Sequence, residues 1–287
     1  MQAQDRINFK EIELQGILSQ ATYLPKPNIE KLVESSNLEL TFYGSDSELQ
    51  VAFFILTNHV NKTQAIAVRG TSNIQNALLD LSLKLTFDKK AEIRLHHGFS
   101  LVAKQIYADL NLYLNRSYVI NTTGHSLGGA VALVLAAYLD KDNYLVLAAY
   151  LDKDNYKVGS VITFGQPKVT NFEGASALKH LDIKRIVLPH DLVPLVPPFD
   201  PLDIQSIDIY WHAGKELILL EGKQYTIIGG VDAMLRATKF TQKQLSEENL
   251  ENHQMSLYLK SVKTKIPVAK HVTYENSFNL FNIFGSE

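Results

Sequence analysis

The apolar runs of this chain come in two alternating kinds. That alternation predicts an α/β fold, with a mostly parallel central sheet covered by helices on both faces. Three observations carry it. Short apolar runs bounded by turn residues read as buried strands, as in VAFFIL (Val51–Leu56) and AIAVRG (Ala65–Gly70). Stretches of helical spacing separate such runs, the clearest with apolar residues at 99, 102, 103, 106, 110, 113 and 114. A G-x-S-x-G phrase, Gly124-His125-Ser126-Leu127-Gly128, sits where a strand gives way to a helix.

Taken in order, Met1 to Leu24 reads as a polar start followed by an amphipathic helix. Ile7, Ile12, Leu14, Ile17 and Leu18 are its candidate buried positions, and Pro25 and Pro27 end it. Val51–Leu56 and Ala65–Gly70 are expected to pair as a hairpin through NHVNKTQ. The spacing from Phe99 to Leu114 predicts a helix. SYVINTTG (Ser117–Gly124) reads as a strand entering a tight turn, and a small-residue apolar helix follows it. KVGSVITFG, IKRIVLP, IDIYWHAG and KELILLEG read as further strands, and Thr238 to Asn252 as a polar surface excursion. No linker-like stretch interrupts the chain, so residues 1–287 are read as a single domain.

Composition excludes several classes of function. The formal net charge of −2 leaves no basic footprint for nucleic acid. The chain has no cysteine, so disulfides, thiolate metal sites and a cysteine nucleophile are ruled out. No apolar run reaches the roughly 18–20 residues of a membrane span. The opening MQAQDRINFKEIELQ carries charges where a secretory signal would be apolar. The protein is therefore made without a signal, or it is a mature form with a start methionine; a secreted mature form is favoured over a cytoplasmic one. No metal or cofactor is called for. His96 and His97, adjacent on an expected strand, would face opposite sides.

The chemistry is expected at Ser126. A sharp strand-to-helix turn strains the serine backbone and lifts its oxygen above the sheet, and glycines on either side keep side chains from colliding there. The Leu127 N–H then lies at a helix N-terminus, where it can stabilise an oxyanion. A serine needs a base, and the base an orienting acid, in the chain order Ser, Asp/Glu, His. Asp191 follows the strand IKRIVLP and precedes prolines that stiffen its loop, which makes it the candidate acid. His212, His253 and His271 are candidate bases. His212, in a β-rich stretch beside Trp211, reads as structural. His253, which follows the polar excursion and opens an apolar helix, is favoured over His271 near the C-terminal tail.

These residues resemble the class 3 lipases, the fungal-lipase-like branch of the α/β hydrolases. The resemblance rests on GHSLGG with TFGQPKV (Thr163–Val169) downstream, AVRGTSNIQNALLDL (Ala67–Leu81), LHHGF (Leu95–Phe99), IVLPHDLVPLVPP, IYWHAGKELIL (Ile209–Leu219) and HQMSLYL (His253–Leu259), all in family order. It implies the α/β-hydrolase fold, with Ser126 as nucleophile, Asp191 as acid and His253 as base. It implies Thr71 as the first oxyanion-hole residue and Leu127 as the second, and His212 as structural. It also places a lid over Ser72–Leu85, where Ile74, Ala77, Leu78 and Leu81 fall on one apolar helical face.

The implied reaction is hydrolysis of a fatty-acyl ester of a lipid at an oil–water or membrane interface, without metal or cofactor. A phospholipid or galactolipid acyl hydrolase and a short-chain esterase are the alternatives. A non-catalytic lipid-binding module on the same fold is the alternative of another class.

One feature stands outside that scheme. LVLAAYLDKDNY occurs twice in tandem, at Leu133–Tyr144 and Leu145–Tyr156. Two copies do not make a solenoid. The first is expected to continue the helix after Ser126. The second could lengthen it, rotating the apolar stripe by three turns plus about 120°. Alternatively it could fold back through a turn at Asp140–Asn143, or replace the first copy in a neighbouring molecule. Its surplus apolar surface predicts some homo-oligomerisation.

Overall fold

The structure, a computed structural model, describes residues 7–34, 36–46, 51–71, 74, 84–147, 156–197, 209–230, 232–233, 236 and 250–274. Among these residues the strands form two sheets. The larger runs in the spatial order β1 (Glu39–Asp46), β2 (Val51–Asn58), β3 (Thr63–Val68), β6 (Val119–His125), β7 (Lys157–Phe164), β9 (Asp182–Val187), β11 (Lys215–Leu219), β12 (Gln224–Ile228) and β13 (Lys270–His271). The smaller is β10 (Tyr210–Trp211), β8 (Thr170–Asn171), β5 (Ile93–His96) and β4 (Leu85–Asp88).

The centre of the large sheet, from β3 through β6, β7 and β9 to β11, is parallel. Parallel neighbours need crossovers. Helices α3 (His97–Leu110), α4 (Leu127–Leu147) and α5 (Phe172–Ala177) lie in those connections. The β1–β2–β3 flank is antiparallel, and β2 and β3 form the expected hairpin.

Each central strand is buried on both faces, and the period of two sorts its residues between two cores. Phe53, Ile55, Ile66, Val68 and Val161 face α3 and α4. Phe54, Leu56, Ala67, Ile162 and Phe164 face the other way, towards α1 (Phe9–Ala21), α2 (Lys26–Glu34) and α6 (Met255–Lys263). Helix α4 is buried continuously from Ala130 to Leu139, as an all-apolar sequence requires.

Several elements differ from expectation. In α1, Leu14 is 45% exposed, while Gln15, Gly16 and Ser19 are buried. The helix docks by Phe9, Ile12, Leu18 and Ala21, and by small and polar contacts beside them: Ser19 Oγ meets Thr123 Oγ1 at 2.8 Å, and a Cβ on Gly16 would stand 2.8 Å from Leu259 Cδ2. Of the expected positions, Ile12 and Leu18 are buried and Ile7 and Ile17 pack on the core, while Leu14 faces out. Pro27 lies in the first turn of α2, where a missing N–H costs nothing, so it starts a helix as much as it stops one. His97 opens α3 and is exposed, so the two adjacent histidines do not share a strand. Neither β1 nor β12 was expected from the sequence.

The duplicated block is used unevenly. Helix α4 runs unbroken through Asp140–Asn143 to Leu147, so no turn forms there and the first three residues of the second copy are helical. The first copy is anchored at four successive polar points. The Tyr138 hydroxyl donates to Asp88 Oδ2 at 2.7 Å, Asp140 pairs with His180 at 2.9 Å and Lys141 with Glu92 at 2.7 Å. Asp142 takes Lys90 at 2.6 Å and the Tyr107 hydroxyl. From the second copy, Tyr156 is 1% exposed, donates to Asn111 Oδ1 at 3.3 Å and lies under the Arg116 guanidinium. The lid positions Ala77, Leu78 and Leu81 lie outside the described residues. So do residues 148–155, on which the remaining course of the second copy and any exchange between molecules turn.

The anchor for this region is Asp88, whose carboxylate accepts from Ser100 at 2.5 Å, Tyr138, and the Lys90 and Ala91 amides, with Lys104 Nζ at 3.0 Å. Burial raises its pKa, but those donors outweigh burial and hold it down at about 2. A depressed carboxyl contributes stability above its unfolded value near 3.8 and loses it as pH falls towards 2. Asp88→Asn is expected to destabilise the protein by about 2–3 kcal/mol in urea titration at neutral pH and to flatten the acid limb between those values.

Deleting either copy of the block yields one and the same chain, in which Tyr144 follows Asp142-Asn143 directly into Lys157. That chain keeps every anchor named above, with Tyr144 in the place of Tyr156. It is expected to melt within a few degrees of the parent in a thermal scan; a drop of more than about 8 °C would show that the second copy carries packing of its own.

Candidate active site

Ser126 joins β6 to α4 with φ of +60°, one of the few non-glycine residues in the left-handed region. Its N–H donates to Phe164 O at 2.8 Å and its carbonyl accepts from Gly129 N at 3.0 Å, which fixes the turn from both sides. The turn leaves no space for side chains. A Cβ at Gly124 would stand 2.5 Å from the Gly128 backbone, and one at Gly128 only 2.3 Å from Val68 O. The glycines therefore serve close approach, and the end of β3 packs directly on the start of α4.

Two loops bring the candidate acid and base to the serine's cavity. The loop after β9 brings Asp191, which is completely buried. Its Oδ2 accepts from His253 Nδ1 at 2.7 Å and from the Tyr258 hydroxyl at 2.5 Å, while Oδ1 accepts from the Val193 amide at 2.9 Å. The turn before α6 brings His253, 3% exposed. With Nδ1–H given to the carboxylate, His253 presents a bare Nε2. Burial and the Asp191 charge push the Tyr258 pKa well above its ordinary value, so this hydroxyl stays a donor. Ser126 Oγ and His253 Nε2 are both buried without a hydrogen-bond partner. Both residues line one cavity of about 430 Å3, as do Thr71, Ile74, Leu250 and Met255.

Thr71 follows β3 at the cavity wall. Leu127 is the first residue of α4, so its N–H is among the first four amides that find no acceptor within a helix. Ile74 packs on Val193 and Val196 of the Asp191 loop. His212, His271 and His96 lie apart. His212 Nε2 donates to Pro194 O at 2.7 Å beneath the Asp191 loop. His271 sits on the edge strand β13 against Tyr225, and His96 is buried at the start of α3, stacked on Phe99.

Two features were not anticipated. Gly165, at φ +59°, lies behind the His253–Asp191 pair, where a Cβ would meet His253 Cε1 at 2.6 Å and Asp191 Oδ2 at 2.9 Å. The signal was present in TFGQP as a strand-ending glycine. A buried cationic group also holds the Asp191 loop from below. Arg185 and Arg236 share Glu216, Arg236 donates to Leu188 O at 3.3 Å, and Lys168 donates to Pro197 O at 2.6 Å. Burial, then Arg185, pushes Lys168 down to about 7; burial, then Arg185 and Lys168, pushes His212 well below its ordinary range. Among the described residues no group of three or more His, Cys, Asp or Glu is placed to hold a metal ion, and no helix is long and apolar enough to cross a membrane.

A parallel sheet that delivers a positive-φ serine into a helix, facing a carboxylate-held histidine, defines a protein of the α/β-hydrolase fold. Residues 65–200 match the family model for lipase (class 3). The secreted mono- and diacylglycerol lipase 1 of Fusarium solani is 27% identical over 186 residues, covering 62% of this chain and 51% of that protein. A lipase of Rhizopus niveus is 29% identical over 154 residues, 50% of this chain and 37% of the relative. The chain thus spans about half the length, or less, of these curated relatives. Among solved structures, a lipase from Rhizopus microsporus var. chinensis superposes with a TM-score of 0.54 at 26% identity, covering 73% of this chain and 74% of that one. Residues 65–200 thus carry the class 3 lipase match, and the chain is homologous to the fungal lipases.

Gly165→Ala is expected to cost about 2–4 kcal/mol, from the left-handed backbone and the displaced His253–Asp191 pair together. Chemical denaturation measures it, and a change below about 0.5 kcal/mol would show that the pair can yield.

Proposed function

We propose that this protein is a serine carboxylic-ester hydrolase, a lipase that cleaves fatty-acyl esters of lipids through an acyl-enzyme. One observation carries the reading. Ser126, held at φ +60°, opens into the same cavity as the bare Nε2 of a histidine whose Nδ1–H is fixed by a buried carboxylate. The match to the family supports the same substrate class.

In this reading His253 Nε2 takes the Ser126 proton as Oγ attacks the ester carbonyl. Asp191, supplied with two further donors by Tyr258 and Val193, holds the imidazole in the tautomer that can accept and stabilises it once charged. The carbonyl oxygen becomes an oxyanion held by Thr71 and by the Leu127 N–H; one such donor is worth roughly 3–4 kcal/mol. The imidazolium returns its proton to the leaving alcohol. Water, deprotonated by the same Nε2, then attacks the acyl-enzyme, releasing the fatty acid and restoring Ser126–OH. Ile74, Leu250 and Met255 supply apolar wall for an acyl chain. A lid over Ser72–Leu85 and an oil–water or membrane interface as the place of action are parts of this proposal.

Ser126→Ala is expected to lower hydrolysis of a chromogenic butyrate ester and of emulsified triolein by at least about 10³-fold, with the melting temperature unchanged. A wild-type rate that the variant retains would sink the enzyme reading and leave a lipid-binding module. Phosphatidylcholine or galactolipid hydrolysed faster than triolein would move the substrate to polar lipids.

A further inference from the structure

His125 and Tyr23 stand beside the reacting groups without belonging to the Ser–His–Asp set. His125 Nε2 lies 2.7 Å from the His253 carbonyl oxygen, and its Nδ1 lies 2.9 Å from the Tyr23 hydroxyl. The hydrogens can be assigned. A carbonyl oxygen only accepts, so Nε2 carries the proton. Burial, and then the neighbouring His253, push the His125 pKa well below its ordinary value, so the ring is neutral and Nδ1 is bare. Tyr23 must therefore donate to Nδ1. Burial of the hydroxyl, opposed by the Gly70 backbone and Arg69, pushes the Tyr23 pKa up to about 12, which keeps that proton in place.

The Tyr23 hydroxyl also lies directly against the Gly70 backbone. Gly70 has no freedom there: a Cβ would stand 2.7 Å from His125 O, 2.8 Å from Tyr23 Oη and 3.0 Å from Ser126 Cβ. Gly70 directly precedes Thr71. The chain of contacts thus runs from the Thr71 loop at Gly70, through the Tyr23 hydroxyl and the His125 ring, to the backbone of His253. It passes beside Ser126 without touching Oγ. The His125 ring also lies on the His253 ring, with centroids 4.4 Å apart.

We propose that Tyr23 and His125 are positioning residues, forming a hydrogen-bonded strut that holds the Arg69–Thr71 loop and the His253 backbone in register on either side of Ser126. The inference rests on the ester-hydrolase reading for its catalytic consequence, though not for its structural one. His253 is held at two points: its side chain by Asp191 and its main chain by His125. Thr71 is held through its neighbour by the other end of the same strut. Displacing either by a fraction of an ångström would misalign base and oxyanion donors together.

The test uses variants that cut the chain at chosen bonds. Tyr23→Phe keeps the ring and removes the donor to Nδ1. His125→Gln keeps an N–H at the Nε2 position and loses the Nδ1 acceptor, so it cuts the same bond from the other side. His125→Asn keeps an acceptor for Tyr23 and loses the bond to His253. Amide hydrogen exchange is read at Arg69–Thr71 and at Leu250–Gln254, and kcat and KM are measured on the butyrate ester.

Tyr23→Phe is expected to speed exchange in both segments, with melting within a few degrees of wild type. kcat should fall about 5–30-fold while KM stays within about twofold. His125→Asn should give the same pattern. The double variant Tyr23→Phe/His125→Gln should be no worse than either single one, because both remove one bond. Unchanged exchange in both segments overturns the strut, and that measurement needs no esterase activity. Multiplying effects in the double variant overturn it as well, by showing that the two residues act separately. A wild-type protein without ester hydrolysis would overturn the proposed function and leave the exchange result to decide the strut.

Discussion

The structure depends on how closely β6, β3 and α4 approach at the serine. Gly124 and Gly128 touch backbone to backbone, and Gly128 lies against the last carbonyl of β3. The strand can then turn into a helix within one residue at the cost of one left-handed serine, of order 1–3 kcal/mol. The burial of α4 against both sheet neighbours offsets that strain. Three consequences follow from the same contact. The serine oxygen is lifted out of the sheet, the Leu127 amide is left at a helix start, and the loop after β3 is brought alongside. A side chain at either glycine would separate all three at once.

Around that contact, the acid and the base come from loops, and loops need fixing. Polar bonds from outside the reacting set fix them. The Asp191 loop is gripped from below by Lys168, His212 and Arg236 at the carbonyls of Pro197, Pro194 and Leu188. Glu216 partly neutralises the two arginines. Buried charge is costly, so its retention here points to positional precision more than to net stability. His253 is fixed by a carboxylate on one side and a neutral histidine on the other. The two partners act on different atoms, so neither substitutes for the other.

What the sequence revealed divides by physical cause. The strands of the parallel core and the strand–turn–helix at Ser126 were legible, because buried parallel strands are continuous apolar runs and the elbow requires small residues at fixed offsets. The structure places Ser126, Thr71, Ile74 and His253 on one cavity and Asp191 behind the histidine. Illegible were contacts between polar residues far apart in the chain. Tyr23 and His125 are 102 positions apart, and His125 occupied the unspecified place in G-x-S-x-G. Tyr258 read as one more apolar residue of α6, although its hydroxyl is spent on Asp191. In helix α1 the apolar pattern located Ile12 and Leu18 but not the small and polar residues Gln15, Gly16 and Ser19, which are buried beside them.

The tandem block shows how far the site is insulated from the rest of the chain. From Ser126 to Asp142 the helix rises ~24 Å, so the polar anchors of the first copy lie well away from the cavity. Those anchors, from Tyr138 to Asp142, repeat in sequence at positions 150 to 154. Among the described residues the first set meets Asp88, Lys90, Glu92, Tyr107 and His180. The helix must begin at Leu127, since the elbow allows no slippage, and this makes the first copy the one that reaches those partners. The strand β7 must begin at Lys157 to lie beside β6, so the last tyrosine of the second copy is the one buried beneath Arg116. Two fixed ends thus decide which copy supplies the anchors at 138–142 and which supplies the tyrosine at 156, and local sequence, identical in both, has no part in that choice.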